Sequence, residues 1–146
     1  MKKKGGNKMK INELMVGNKI YRPCCVDRVV EIRENGIIGS DGLRGLIAFK
    51  EVAPIPITED FLKANGFIHK CQIEPDEYYP EGLFEWEKEV QGNWVTLSVG
   101  SNKIGCDWRL HVDNCDRGSI GHVAIQYVHQ LQNFMNILGI AMEIIV

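Results

Sequence analysis

The sequence predicts an α+β protein: a small N-terminal SH3-like β-barrel, then a helix, an antiparallel β-meander, a long C-terminal helix and a closing strand. Three observations carry that expectation. The first fifty residues are short Val/Ile/Leu-rich pieces cut by turn dipeptides, prolines at 54 and 56 interrupt the chain, and residues 121–138 place apolar side chains at helical spacing.

Residues 11–53 read as the barrel. Asn35-Gly36 and Asp41-Gly42 are strong turn signals, and the flanking segments 26–33 and 43–50 have strand composition. Strands this short and closely spaced suggest a small curled sheet. Pro54 and Pro56 hold their preceding residues out of the helical region and mark a boundary, with 54–146 as a second unit. Thr58 is a good N-cap. Glu59 and Asp60 place negative charge at the positive helix end, Phe61, Leu62 and Ala64 give an apolar face, and Gly66 offers a left-handed stop.

The meander follows. With Gly92-Asn93 as a two-residue turn, Val90 faces Val95, Lys88 faces Leu97 and Trp86 faces Val99 on an apolar side. Glu89, Glu87 and Glu85 then oppose Thr96, Ser98 and Gly100 on a carboxylate-rich side. Lys88 is the misfit on the apolar side, expected near an edge with its amine in water. Residues 107–113 repeat the alternation, with Trp108, Leu110 and Val112 inward and Arg109 and His111 outward.

From about Gly121 to Leu138 the 100° periodicity gathers Ala124, Tyr127, Val128, Leu131, Phe134, Met135 and Leu138 on one stripe. His122, Gln126, His129, Asn133 and Asn136 centre on the other side. Gly139 ends this helix, and 141–146 reads as a closing strand.

Composition bounds the function classes. Hydrophobic content of 45% and charged content of 25% over 146 residues describe an ordinary globular chain. A formal charge of -2 argues against a duplex nucleic-acid partner. Lys2, Lys3, Lys4 and Lys8 belong to a basic leader, residues 1–10, with nothing to bury, and Met9 is a plausible native start. The 17 basic residues fall to 13 without those four lysines, against 19 acidic ones, so the body is acidic. No apolar run reaches the roughly 18 residues of a membrane span, so the expectation is a cytoplasmic protein. Five cysteines, an odd set, fit a reducing compartment.

The runs Glu13-Leu14-Met15-Val16-Gly17-Asn18, Pro54-Ile55-Pro56-Ile57-Thr58-Glu59 with Asn65-Gly66-Phe67, and Tyr127-Val128-His129-Gln130-Leu131-Gln132-Asn133 resemble a group of small proteins. These are encoded by Bacteroides-type gut bacteria and their phages and mobile elements. The group has no assigned activity, cofactor or catalytic residue, so the resemblance implies a genomic setting rather than a chemistry.

Four sets of residues are candidates for function. Cys106, Cys115, His122 and His129 have metal-ligating chemistry, but no CxxC pair occurs. Two helical histidines seven apart would lie about 10 Å apart along the axis, too far for one tetrahedral ion. No metal and no cofactor is therefore expected. Glu85, Glu87, Arg109 and His111 could converge on a sheet face for acid-base work or for a charged ligand. No nucleophile motif, phosphate loop or metal signature accompanies them. The stretch 74–89 holds seven carboxylates and one lysine, a potential docking surface for a basic partner. The uncharged helix face of His122, Gln126, His129, Asn133 and Asn136 is the expected interaction surface, covered within the chain or by a second copy.

The leading expectation is a non-enzymatic accessory or interaction module, with a protein partner or homo-oligomer. A hydrolase or nucleic-acid-processing enzyme on the Glu/Arg/His face is the alternative. A third reading is a single-stranded nucleic-acid binder through the barrel, with Tyr21 and Phe49 stacking and Lys19, Arg22 and Arg28 near the backbone.

Overall fold

The computed structural model describes residues 14–22, 25–40, 46–100 and 107–145. The basic leader, the Asp41-Gly42 turn and Cys106 lie outside them. Among the described residues the chain is mostly antiparallel sheet: β1 (Lys19–Arg22), β2 (Cys25–Arg33), β3 (Gly36–Gly39), β4 (Leu46–Ala48), α1 (Glu59–Ala64), β5 (Ile68–Ile73), β6 (Leu83–Val90), β7 (Asn93–Val99), β8 (Trp108–Asn114), β9 (Gly118–Ile125) and α2 (Val128–Ile137). The α+β expectation with a long C-terminal helix is thereby overturned. No helix among these residues is long and apolar enough to cross a membrane. The chain divides into two compact units, 1–56 with 127–133, and 57–126 with 134–146.

In the first unit β1 to β4 form one antiparallel sheet in chain order. It is a sheet in chain order, not the SH3-like barrel expected: β1 turns its other edge to Ala53, through reciprocal Tyr21 and Ala53 amide bonds of 2.8 and 2.9 Å, and not to β4. Leu14, Ile20, Val29, Ile37, Ile47 and Val52 fill its core, with Ile32 and Phe49 packed at the margin. Each such side chain stabilises the fold by about 1.5–3 kcal/mol. Gly36 and Gly39 are glycine because of close approach. A Cβ on Gly36 would strike the Ile47 carbonyl, and one on Gly39 the Asp27 carboxylate.

The amides on the first turns of α2 are consumed in this unit. Gln132 Oε1 accepts from the Lys19 amide at 2.8 Å and its Nε2 donates to the Gly17 carbonyl at 3.3 Å. Asn133 Oδ1 accepts from Asn18 Nδ2 at 2.8 Å, while Asn18 Oδ1 takes the Met15 amide at 2.7 Å. The uncharged amides therefore clasp the turn before β1. His129 is fully buried, its ring stacked on Tyr127 with centroids 5.8 Å apart.

In the second unit β5 to β9 form a five-stranded meander in chain order. Phe84, Trp86, Val90, Val95, Leu97, Val99, Trp108, Leu110 and Val112 are buried along β6, β7 and β8. Trp108 Nε1 donates to the Ile57 carbonyl at 3.1 Å. The β6–β7 loop is Gln91–Gly92, both with positive φ (51° and 77°), and not Gly92-Asn93. Val90 therefore pairs with Asn93, Lys88 with Val95 and Trp86 with Leu97. The register differs by two, so every side chain keeps its expected face. Asn93 is drawn into the strand because its buried amide donates to the Val90 and Gln91 carbonyls and accepts from Asn114. Lys88 does not reach for water. Its amine donates to the Asn65 carbonyl at 2.6 Å, placing a cation at the negative end of α1.

Helix α1 matches its sequence signals, with Thr58 Oγ1 accepting from the Phe61 amide at 3.2 Å. Gly66 (φ 79°) closes it: the Gly66 and Phe67 amides donate back to the Lys63 and Leu62 carbonyls.

Helix α2 is ten residues, and the segment before it is strand. Asn114 Oδ1 accepts from the Asp116 and Arg117 amides, which turns the chain back on itself, and β9 then pairs with β8 from Gly118 to Ile125. Gly118 and Gly121 favour this outcome over a helix. Gly121 also leaves the space that the Phe134 ring occupies. The helix begins only where Gln130 Oε1 reaches back to accept from the Tyr127 amide at 3.0 Å, half of a capping box. Residues 140–145 make no strand. Ile140 and Ile144 are buried, and the Asn65 side chain holds Ile145 through its amide and its carbonyl, each at 2.7 Å.

Candidate functional site

The face of the five-stranded sheet opposite its buried side chains collects the chain's polar chemistry. Cross-strand pairing sets it out in rows. Glu85, Ser98, Arg109 and Ala124 form one, and Glu87, Thr96, His111 and His122 the next. A third row begins with Glu89, Trp94 and Asp113. The four sheet-face residues named from the sequence, Glu85, Glu87, Arg109 and His111, thus share one surface, on β6 and β8 with β7 between them. Glu85 with Arg109 and Glu87 with His111 make no ion pair among the described residues, each couple being separated by a strand.

The carboxylates have a different partner. A β-bulge between His69 and Cys71 adds an extra residue to β5, and Lys70 reaches Glu85 at 3.2 Å and Glu87 at 3.4 Å. The hydrogen bond and charge of Glu85, followed by those of Glu87, hold the Lys70 amine above its ordinary value. The neighbouring Cys71 thiol is pushed up, by burial first and then by the Glu85 charge. A thiol so placed stays protonated and is a poor nucleophile.

Arg109 is exposed and, among the described residues, makes no ion pair. It lines two adjoining open depressions of about 630 and 1160 Å³, which share Ser98, Arg109 and Ala124. The first continues over Thr96, His111 and His122, the second to Tyr78 and Tyr79. His111 Nε2 lies 3.0 Å from Asp113 Oδ1, and its ring centroid is 6.3 Å from that of His122. Two imidazoles and a guanidinium thus occupy the β8–β9 side, with the Lys70-bound carboxylates across β7.

The helix-face set is dispersed. His122 is on β9 and exposed on the polar sheet face, Gln126 lies just beyond that strand, His129 is buried, Asn133 is bound to Asn18, and Asn136 is exposed on α2. Of the metal candidates, Cys115 is in the β8–β9 turn and exposed, while Cys106 lies outside the described residues. Among the described residues no three His, Cys, Asp or Glu side chains form a group that could hold a metal. Of the stacking set, Tyr21 is exposed and Lys19 pairs across from Arg28, but Arg22 is buried against Asp27 and Phe49 packs on the core.

Sequence reasoning did not bring Lys70, Asp113, His122, Tyr78 or Tyr79 to this site. Asp113 was within reach, since it continues the outward alternation of Arg109 and His111. His122 was assigned to a helix face, and Lys70 depends on a bulge that no local signal announces. Comparison with protein-family models, with curated proteins and with solved structures finds no match for this chain.

Proposed function

We propose that the chain is a non-enzymatic binding module whose ligand surface is the polar face of the five-stranded sheet, and that the ligand is anionic. The observation that carries this is Arg109. It stands where two depressions meet, without an ion pair among the described residues, while the nearby acids Glu85 and Glu87 are engaged by Lys70. An exposed guanidinium flanked by Ser98 and His111 offers a planar donor fork to a carboxylate, phosphate or sulfate.

The test is amide NMR of the full chain with acetate, inorganic phosphate and sulfate as probes. Anion-dependent shifts at Ser98, Arg109 and His122 that vanish in Arg109→Ala are expected. Shifts unchanged by that substitution overturn the reading.

A hydrolase reading draws on the His111–Asp113 hydrogen bond, which could orient an imidazole as a general base. Both side chains are largely in water, at 42% and 45% exposure, so solvent competes with the bond that would orient the ring. If His111→Ala abolished turnover of a bound ester without changing its affinity, the enzyme reading would replace the first.

A further inference from the structure

We infer that the groove's ligand is an acidic oligosaccharide, a chain of sugar rings carrying carboxylates at intervals; this rests on the anion-binding reading above and names its ligand class. Three observations lead there. The first is the aromatic platform. Tyr78 and Tyr79 are 80% and 43% exposed, yet the loop that carries them is fixed by its own hydrogen bonds. Asp76 Oδ1 accepts from both tyrosine amides, at 2.9 and 2.6 Å, and the Tyr79 carbonyl accepts from Asp76 and Gly82 at 3.0 and 2.8 Å. The backbone beneath the two rings is thus fixed, each ring has only two side-chain torsions to lose on binding, and their faces suit the C–H side of a pyranose.

The second is the mixed lining. Beside Arg109 and the histidines the two depressions expose Ser98, Thr96, Asp107 and Asp113. Hydroxyls and carboxylates accept hydrogen bonds from sugar hydroxyls, whereas a phosphodiester chain, with a charge on every unit, would meet those same carboxylates as repulsion. With Lys70 held by Glu85 and Glu87, Arg109 stands among the remaining acids and matches a ligand whose negative charge is sparse.

The third is the groove's continuity. The depressions join at Ser98, Arg109 and Ala124, so an extended chain can lie from the tyrosines past Arg109 to the two histidines. A ring stacked at Tyr78 or Tyr79 then places a later ring's carboxylate at Arg109.

Isothermal titration and amide NMR on the full chain with a hyaluronan tetrasaccharide, in which every second ring carries a carboxylate, its methyl ester, a hexathymidylate and inorganic sulfate test this. The tetrasaccharide is expected to shift Tyr78, Tyr79, Ser98 and Arg109, to weaken with added salt, and to lose about tenfold or more in affinity on Arg109→Ala or on esterification. Tyr78→Ala and Tyr79→Ala, both on an exposed loop, are expected to weaken it while leaving sulfate shifts at Arg109 unchanged. Equal affinity for the ester or for hexathymidylate overturns the saccharide proposal. So do Arg109-dependent shifts with sulfate but none with the tetrasaccharide, an outcome that leaves the anion-binding reading standing. If no probe gives an Arg109-dependent shift, both fall.

Discussion

The Asp27 carboxylate meets the Arg22 guanidinium at 2.7 Å with both side chains withdrawn from water, at 4% and 5% exposure. Burial alone would push the Asp27 carboxyl up. Hydrogen bonds from the Ser40 hydroxyl and amide, the Arg22 guanidinium and the Arg28 amide outweigh it and hold the group at about 2.

That depression sets a pH dependence for the first unit. In the unfolded chain the carboxyl returns to near 3.8, so the stabilisation is fully present above about pH 4 and is lost as pH falls toward 2. Its size is about 2–3 kcal/mol. Asp27→Asn removes the negative charge that faces the buried Arg22 guanidinium and is expected to cost about 3–5 kcal/mol at neutral pH and to flatten the acid limb. Hydrogen exchange of the Val29 amide, bonded to the Asn18 carbonyl at 2.8 Å, reports it. An unchanged acid limb in the variant would refute the assignment.

Packing of β9 against α2 depends on a missing side chain. A Cβ on Gly121 would lie 2.7 Å from Phe134 Cζ, too close without movement of the ring. Gly121→Ala is expected to destabilise the second unit by about 1–3 kcal/mol. Phe134→Leu removes the ring's far end, so the double variant should recover part of that loss in a double-mutant cycle. Additive effects, measured by denaturant unfolding on tryptophan fluorescence, would show that the two residues do not meet.

Asn65 is the clamp for the C-terminal segment. Its amide donates to the Phe61 and Ile145 carbonyls at 2.9 and 2.7 Å, and its oxygen accepts from the Ile145 amide. Asn65→Ala is expected to release Ile145, visible as loss of protection of that amide, at a cost of about 1–3 kcal/mol for the buried groups left unmatched. Asn65→Asp keeps the acceptor, so it should preserve more of the Ile145 amide protection than alanine does.

Thiol labelling separates the cysteines. Cys71 is half-buried and its thiol is raised by burial and by Glu85, whereas Cys25 and Cys115 are exposed. Iodoacetamide at mildly alkaline pH should modify Cys25 and Cys115 first and Cys71 last, by mass spectrometry of digests. Glu85→Gln removes the neighbouring negative charge and should speed Cys71 labelling.

Much of the local structure was legible in the chain. Thr58, the first-turn acids and Gly66 delimit α1, and alternation from Leu83 to Val112 assigns each side chain its face even though the turn is displaced. Glu85, Glu87, Arg109 and His111 reach one surface for that reason. The errors share a different origin. A helix would put Ala124 and His122 on opposite sides and a strand puts them on one face, and β9 takes the strand because its backbone completes a ladder with β8.

The sequence by itself determined the caps of α1 and the two-faced strands of the meander, because these depend on side chains a few residues apart. Only the tertiary structure decided the strand order, the clasp of Gln132 and Asn133 on the turn before β1, and the bulge that hands Lys70 to Glu85 and Glu87. Each of those joins groups far apart in the chain or breaks a regular ladder. The contrast that matters most for function, engaged acids on one side of β7 and on the other an Arg109 without an ion pair among the described residues, follows from pairing between strands, which no local pattern encodes.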